Sequence, residues 1–188
     1  MLRPLLPATG HVLEIAAGGG QHASFFAAAL PGLTWRPTDG HAFAVESLER
    51  RREQEGTGNL LPAVQLDAAV PGFWPAESYQ PRPDAVVCIN MVHISPWDAT
   101  VGLFAGAWEV LKPKGLLFLY GPYREADTLL APSNTAFDQS LKVRNPAWGL
   151  RDLADLDDLA LRRGFDRILR VEMPANNLSL AYRRVGLD

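Results

Sequence analysis

The chain has 188 residues, 47% of them hydrophobic, and a single cysteine, so it can bury a substantial core in one domain, residues 1–188, without any intramolecular disulfide. Its formal net charge of −3 argues against nucleic acid as a partner, since that affinity rests on clustered Lys and Arg meeting phosphates; Arg50-Arg51-Arg52, Arg162-Arg163 and Arg183-Arg184 read as solvated surface. No apolar run is long enough to span a bilayer, and MLRPLLPA is too short and proline-rich for a secretory signal. A soluble, cytoplasmic protein is therefore expected, with Cys88 a buried thiol inside AVVCIN.

In chain order, Val12 to Ala16 reads as a strand, Ala23 to Leu30 as a helix stopped by Pro31-Gly32, and LTWRPTD as a second strand ending at Asp39. A helix from about Ala42 to Gln54 leads to a third strand, LLPAVQLD. DAVVCIN is a near-continuous apolar run, the pattern of a strand covered on both faces. Helical spacing follows from Trp97 to Leu111, then the turn KPKG and the buried strand LLFLY. After Tyr120 the pattern breaks for about thirty residues, and residues 121–149 are expected to be an irregular insertion forming an acceptor pocket and its lid, since segments of that length in compact domains are usually functional or disordered. A helix resumes near Arg151, and FDRILRVEM and LSLAYRR close the chain as two strands joined by PANN. The alternation predicts a doubly wound α/β sheet.

Between the first strand and helix lies AAGGGQHA. Gly18, Gly20 and Ala23 fit G-x-G-x-x-G/A, with Asp39 about twenty residues on, a spacing shared with dinucleotide-binding loops. Glu14 argues otherwise. A pyrophosphate over this loop loses from a nearby carboxylate, whereas a ligand carrying an ammonium group gains. Asp39 and Asp67 end the next two strands, putting acids at three successive strand ends.

VLEIAAGGG resembles the first motif of the Rossmann-like S-adenosylmethionine (SAM) methyltransferases, a strand ending in Asp or Glu followed by G-x-G-x-G. Ala16 stands where the first glycine usually does, a departure that is mild if no positive φ is required there. EIAAGGGQHASFFA, LTWRPTD, NMVHISPW, LLFLYGPY, APSNTAFDQSL, NPAWGLRD and VEMPANNLSL together are similar to the methyltransferase-like 26 group, over nearly the whole chain. That resemblance implies a mostly parallel seven-stranded sheet with an antiparallel C-terminal strand, and SAM as cofactor. Members of the group usually carry a further N-terminal segment, whereas Met1 lies only about ten residues ahead of the first strand; its absence is expected to weaken cofactor binding or widen the pocket.

The resemblance implies that Asp39 accepts from the ribose hydroxyls and Asp67 from the adenine amino group; Glu14, Ala16, Gly18, Gly20, Gln21 and Asn90 complete the expected cofactor set. Methyl transfer from a sulfonium needs alignment and, for a protonated nucleophile, one proton acceptor. The loop after the fourth strand should lie at the ligand-binding end of the sheet, which makes His93 a candidate base and Tyr123 a second candidate catalytic residue. Tyr123, Asn134, Asp138, Trp148, Asn176 and Asn177 are the expected acceptor-binding residues, aromatic walls with a few polar orienters. His11, His22 and His41 make no metal-ligand spacing with Cys88, so no metal is expected. The expected function is SAM-dependent methylation of a small molecule. The alternatives are a SAM-binding protein with little catalysis and a nicotinamide oxidoreductase, the latter disfavoured by Glu14.

Overall fold

The computed structural model describes residues 2–70, 74 and 79–185. Seven strands, β1 (Gly10–Ile15), β2 (Leu33–Asp39), β3 (Val64–Gln65), β4 (Ala85–Ile89), β5 (Leu116–Gly121), β6 (Phe165–Met173) and β7 (Asn177–Arg184), form one sheet in the order β3-β2-β1-β4-β5-β7-β6. β7 enters between β5 and β6 and runs antiparallel to both, and every other pairing is parallel. The helices are α1 (Gln21–Ala29), α2 (Ala42–Glu55), α3 (Trp97–Val110), α4 (Pro132–Arg144) and α5 (Leu153–Arg162). This is the expected α/β architecture with its antiparallel C-terminal strand.

The near-continuous apolar strands are buried because the sheet is covered on both faces. Leu13, Ile15, Val86, Leu117 and Leu180 pack with Leu103 and Phe104 of α3 and Leu156 of α5. On the other face Val12, Trp35, Val87 and Phe118 meet Ala23 and Ala27 of α1. Both layers direct the carboxyl ends of β1, β2, β4 and β5 to one edge, where the loops that matter lie.

Two expectations are corrected. The third strand shrinks from LLPAVQLD to Val64–Gln65: Leu60 bridges Trp35, but Pro62 offers no N–H and interrupts the ladder at the sheet edge. Residues 121–149 are not irregular throughout, since Pro132 opens the thirteen-residue α4, a favoured place for proline because the first-turn N–H groups have no helical partner. The buried positions of α4 are Asn134, Asp138 and Leu141. Its i, i+4, i+7 stripe is thus two-thirds polar and gives no hydrophobic period to read. Among the described residues no helix is long and apolar enough to cross a membrane.

Candidate active site

The glycine loop is tied down from below. Ala17 N–H donates to Thr38 O at 2.8 Å and Gly20 N–H to Ala17 O at 3.0 Å. Asp39, 7% exposed, accepts from Gly18 N–H through Oδ2 and from His41 N–H through Oδ1, both at 3.0 Å. It therefore couples the loop to the start of α2, and each oxygen keeps a second lone pair for a ligand hydroxyl. Gly18 (φ +57°) and Gly20 (φ +78°) are left-handed. A Cβ at Gly18 would meet nothing within 4 Å, whereas one at Gly20 would lie 2.9 Å from Leu48 Cδ2. The outer face at Gly18 is open, and the inner face at Gly20 is packed against α2. Ala16 also has a positive φ, +55°, so the alanine in the first glycine position is a strained substitution rather than the mild one expected, costing roughly 1–2 kcal/mol.

Glu14 is 1% exposed, and its Oε2 accepts from Trp35 Nε1 at 2.6 Å. Burial pushes the carboxyl up to about 7, against the smaller opposing effect of the Trp35 bond. Its carboxylate is thus turned to an indole inside the fold. Asp67 is exposed and accepts from Ala69 N–H at 2.9 Å; Gly40 packs close against it, with room for a Cβ only 3.5 Å from Asp67 Cα. Gln21 is exposed at the first position of α1.

At the ends of β4 and β5, Asn90 adopts a left-handed conformation (φ +64°) with its N–H on Tyr120 O at 2.8 Å, which turns the chain into the short 3-10 segment Met91–His93. His93 is 2% exposed, sits edge-on to Phe137 of α4, and its Nδ1 has no hydrogen-bond partner among the described residues. A Cβ at Gly121 would lie 2.9 Å from His93 Cε1, so the imidazole fits only because that position is glycine. Burial first, and the Arg151 charge second, lower its pKa to about 4. This imidazole is therefore neutral at physiological pH and is a weak base for the role of candidate base expected of it. Arg151 holds the loop in place, donating to Val92 O at 3.1 Å and Ser95 O at 2.6 Å, while Gly149 N–H donates to His93 O at 3.0 Å.

Tyr123 is buried with an unpartnered hydroxyl; burial and the nearby Cys88 raise its pKa. A phenol in that state neither donates to a described neighbour nor ionises near neutral pH, and the structure gives no support to a catalytic role. Its ring does line a cavity of ≈ 210 Å³ together with Asn134, Asn176, Asn177 and Arg170, so four of the six expected acceptor residues converge. Asn134 Nδ2 donates to Asn176 O at 3.0 Å, and Asn176 Nδ2 to Ser133 Oγ at 3.1 Å, fixing α4 to the turn between β6 and β7. The other two lie elsewhere. Asp138 is a structural hub, pairing with Arg124 and with Lys142 Nζ (2.7 Å) and accepting from Leu150 N–H at 2.8 Å. Burial would raise its pKa, but the bonds from Lys142 and Leu150 and the Arg124 charge hold it below the usual range. Trp148 lines a separate cleft of ≈ 510 Å³ with Trp97 and Arg151.

Sequence reasoning passed over Trp35, Arg51 and Arg151. The partner of Trp35 lies 21 residues away, and the bonds by which Arg151 holds the His93 loop reach 56 and 59 residues back, so the sequence around either residue does not mark its role. Arg51 was masked by its place in a basic run. Among the described residues no group of three or more His, Cys, Asp or Glu could hold a metal ion. Cys88 is buried and its thiol is pushed up to about 12, chiefly by desolvation.

A family model described as "Protein of unknown function (DUF938)" matches residues 1–184. Among solved structures, a putative methyltransferase from Bacillus halodurans superposes with a TM-score of 0.74 at 16% identity, over 99% of this chain and 97% of that one. The pyocyanin biosynthetic protein PhzM gives 0.77 at 16%, over 98% of this chain and 53% of that one. CalO1, a methyltransferase in calicheamicin biosynthesis solved in its SAH-bound form, gives 0.74 at 18%, over 94% and 49%. The chain spans about half the length of PhzM and CalO1. At these identities the likeness is one of fold, the Rossmann-like fold of methyltransferases.

Proposed function

The chain belongs to the DUF938 family, and we propose that its fold serves SAM-dependent methyl transfer to a small-molecule acceptor. The observation that carries this reading is the loop from Ala16 to Gly20: its face is open at Gly18, and the Asp39 carboxylate beneath it retains acceptor capacity. The finer relationship, to the methyltransferase-like 26 group, is supported by motifs spread along the residues the family model matches. The residues that would hold the cofactor are Gly18 and Gly20 by close approach of the backbone, Asp39 by its free lone pairs toward the ribose, Asp67 toward the adenine amino group, and Asn90 beside the reacting end. Ala16 and Gln21 border the same loop. Glu14 supplies an anionic field for an ammonium group from within the fold.

When bound, SAM supplies a methyl on a sulfonium whose leaving group is neutral, so no acid is needed at the leaving atom. The chain's own task is alignment and the acceptor's proton. His93 Nδ1, neutral, unpartnered and buried beside Gly121, has acceptor capacity for the O–H or N–H of a nucleophile once the loop admits one, and in that role it would orient the nucleophile. Tyr123, Asn134, Asn176 and Asn177 line the acceptor's cavity, and the span 121–149, with α4 at its centre, covers it. Asp138 and Trp148 shape this cover rather than touch the acceptor. A lone, buried Cys88 suits a cytoplasmic setting.

One observation favours the second reading, a SAM-binding protein with little catalysis: His93 Nδ1 and the Tyr123 hydroxyl are both buried. Two measurements test these readings. SAM or S-adenosylhomocysteine (SAH) should raise the melting temperature and NADH should not, because only a ligand preferring the native state stabilises it. Incubation of the protein with a metabolite extract and isotopically labelled SAM should then yield a labelled small molecule by mass analysis. Stabilisation by NADH alone would overturn the cofactor; binding without labelled product would favour the sensor.

A further inference from the structure

The basic run Arg50-Arg51-Arg52 is not uniform solvated surface. Arg50 bonds Ser47 Oγ at 2.9 Å, and Arg52 pairs with Glu49 at 2.8 Å; both contacts stay within α2. Arg51 leaves its helix. Its Nε donates to Gly19 O at 2.6 Å, while its NH1 is turned onto Glu55 Oε1 at 2.7 Å. We infer that Arg51 is a positioning residue for cofactor binding, one that fixes the peptide between Gly19 and Gly20 from the side of the loop away from the ligand. The inference rests on the proposed function for its ligand, though not for its geometry.

That peptide is held at both polar ends. The carbonyl accepts from Arg51, and the N–H, belonging to Gly20, donates to Ala17 O. Three consecutive glycines otherwise have more backbone freedom to lose than any other tripeptide, and a loop ordered only on binding subtracts that loss from affinity. Helical geometry explains how one helix serves the loop. Leu48 and Arg51 are three residues apart and share a face, and both touch the position a Cβ at Gly20 would fill, at 2.9 Å and 3.0 Å. Leu48 and the Arg51 stem therefore pack the loop's inner face, and Glu55 aims the guanidinium so that Nε meets the carbonyl. Asp39 restrains the peptide between Ala17 and Gly18 through Gly18 N–H. The loop is braced by an anion at the Ala17–Gly18 peptide and a cation at the Gly19–Gly20 peptide, which leaves the open face at Gly18, between them, for the ligand.

Two substitutions separate the hydrogen bond from charge and bulk. In Arg51→Gln the amide nitrogen occupies the place of Nε and keeps a donor there without the charge. In Arg51→Met a methyl occupies that place and nothing donates. The arginine side chain is 29% exposed, so both variants of the full chain should fold, as melting curves will show. Titration calorimetry with SAH should give a dissociation constant about five- to tenfold weaker for Arg51→Met, the size expected for one charge-assisted bond at a partly exposed site. Arg51→Gln should lie within about twofold of the parent. Without ligand, hydrogen exchange at the Gly20 amide should be faster in Arg51→Met than in Arg51→Gln, because only the former frees the peptide. Equal affinities and equal exchange in both variants would overturn the inference, as would equal weakening of the two, which would assign the effect to charge. If the parent chain binds no SAH, the methyltransferase reading fails, and the exchange comparison alone decides whether Arg51 sets the loop.

Discussion

Replacing Glu14 with glutamine should stabilise the protein and remove a pH dependence. The carboxyl is buried against Trp35, and its pKa rises from 4.5 to about 7. An acid whose folded pKa lies above its unfolded value ionises first in the unfolded chain. The native state therefore loses stability progressively as pH rises from about 4.5 to about 7, and the loss is constant above that. A rise from 4.5 to about 7 makes a charged Glu14 cost the fold about 3 kcal/mol at pH 8, each tenfold in proton affinity being worth about 1.4 kcal/mol. Glutamine keeps the shape and an oxygen for Trp35 Nε1 without the charge. Its amide NH₂ must find an acceptor in a dry site, which trims the expected gain to about 2 kcal/mol. For a chain of this size that raises the melting temperature by roughly 4–8 °C. Melting curves of parent and Glu14→Gln, recorded from about pH 4.5 to 8.5, should put the variant roughly 2–4 °C below the parent at the acid end, where only the amide's cost remains, and above it from about pH 7. Parallel curves across the whole range would refute the reasoning. SAH affinity should fall in the same variant, because a ligand ammonium loses its buried counter-charge, a trade of function against stability.

Asp39→Ala removes acceptors from Gly18 N–H and His41 N–H as well as from the ribose; SAH affinity should fall about tenfold or more with a loss of about 1–3 kcal/mol in stability, and unchanged calorimetric affinity in a folded variant would contradict the site. The His93 ¹³C imidazole resonance, assigned by its loss in His93→Gln, should not titrate above pH 5, since its pKa is lowered to about 4; its contribution to stability is whole above about 6.5 and drains away as pH falls toward 4, and a His93 midpoint near 6.5 would disprove it. Gly20→Ala should destabilise more than Gly18→Ala by about 1 kcal/mol or more in denaturant titrations, because both have positive φ but only Gly20 is walled by Leu48. Ala16→Gly should raise the melting temperature by a degree or two, relief of a left-handed alanine slightly outweighing glycine's entropy.

The strands were readable where hydrophobic period and turn residues agree. LTWRPTD and FDRILRVEM have the bounds expected of them, because Pro31-Gly32, Asp39-Gly40, Gly164 and Pro174 punctuate their ends. The acids at strand ends were also readable, since each is a carboxylate beside a turn. What they do was not. Glu14 could be placed on β1 but not opposite Trp35, because the partner comes from a neighbouring strand whose register the sequence does not print. Ala16 was misjudged for a related reason: the φ of a loop residue is set by tertiary closure, here the Ala17 and Gly18 bonds to β2, and not by its own preference. Asp138 looked like an acceptor ligand because it sits among aromatics, although its i,i+4 spacing to Lys142 signalled an internal ion pair. The helix around it was hidden by its polar buried stripe.

β7 lies inside the sheet, between β5 and β6, yet it is the last of the seven strands to be synthesised. Until Asn177–Arg184 leaves the ribosome, β5 has a partner on one side only and β6 has none. The segment left waiting, Leu-Leu-Phe-Leu-Tyr-Gly from Leu116 to Gly121, is apolar along its length and carries no charge, the composition most prone to pair with a neighbouring chain. Vectorial synthesis therefore leaves β5 vulnerable for the whole interval between its own emergence and that of β7. Nascent chains stalled before Asn177 should accordingly be captured by chaperones or aggregate, while those stalled on an added C-terminal linker long enough to carry Arg184 clear of the tunnel should already resist protease.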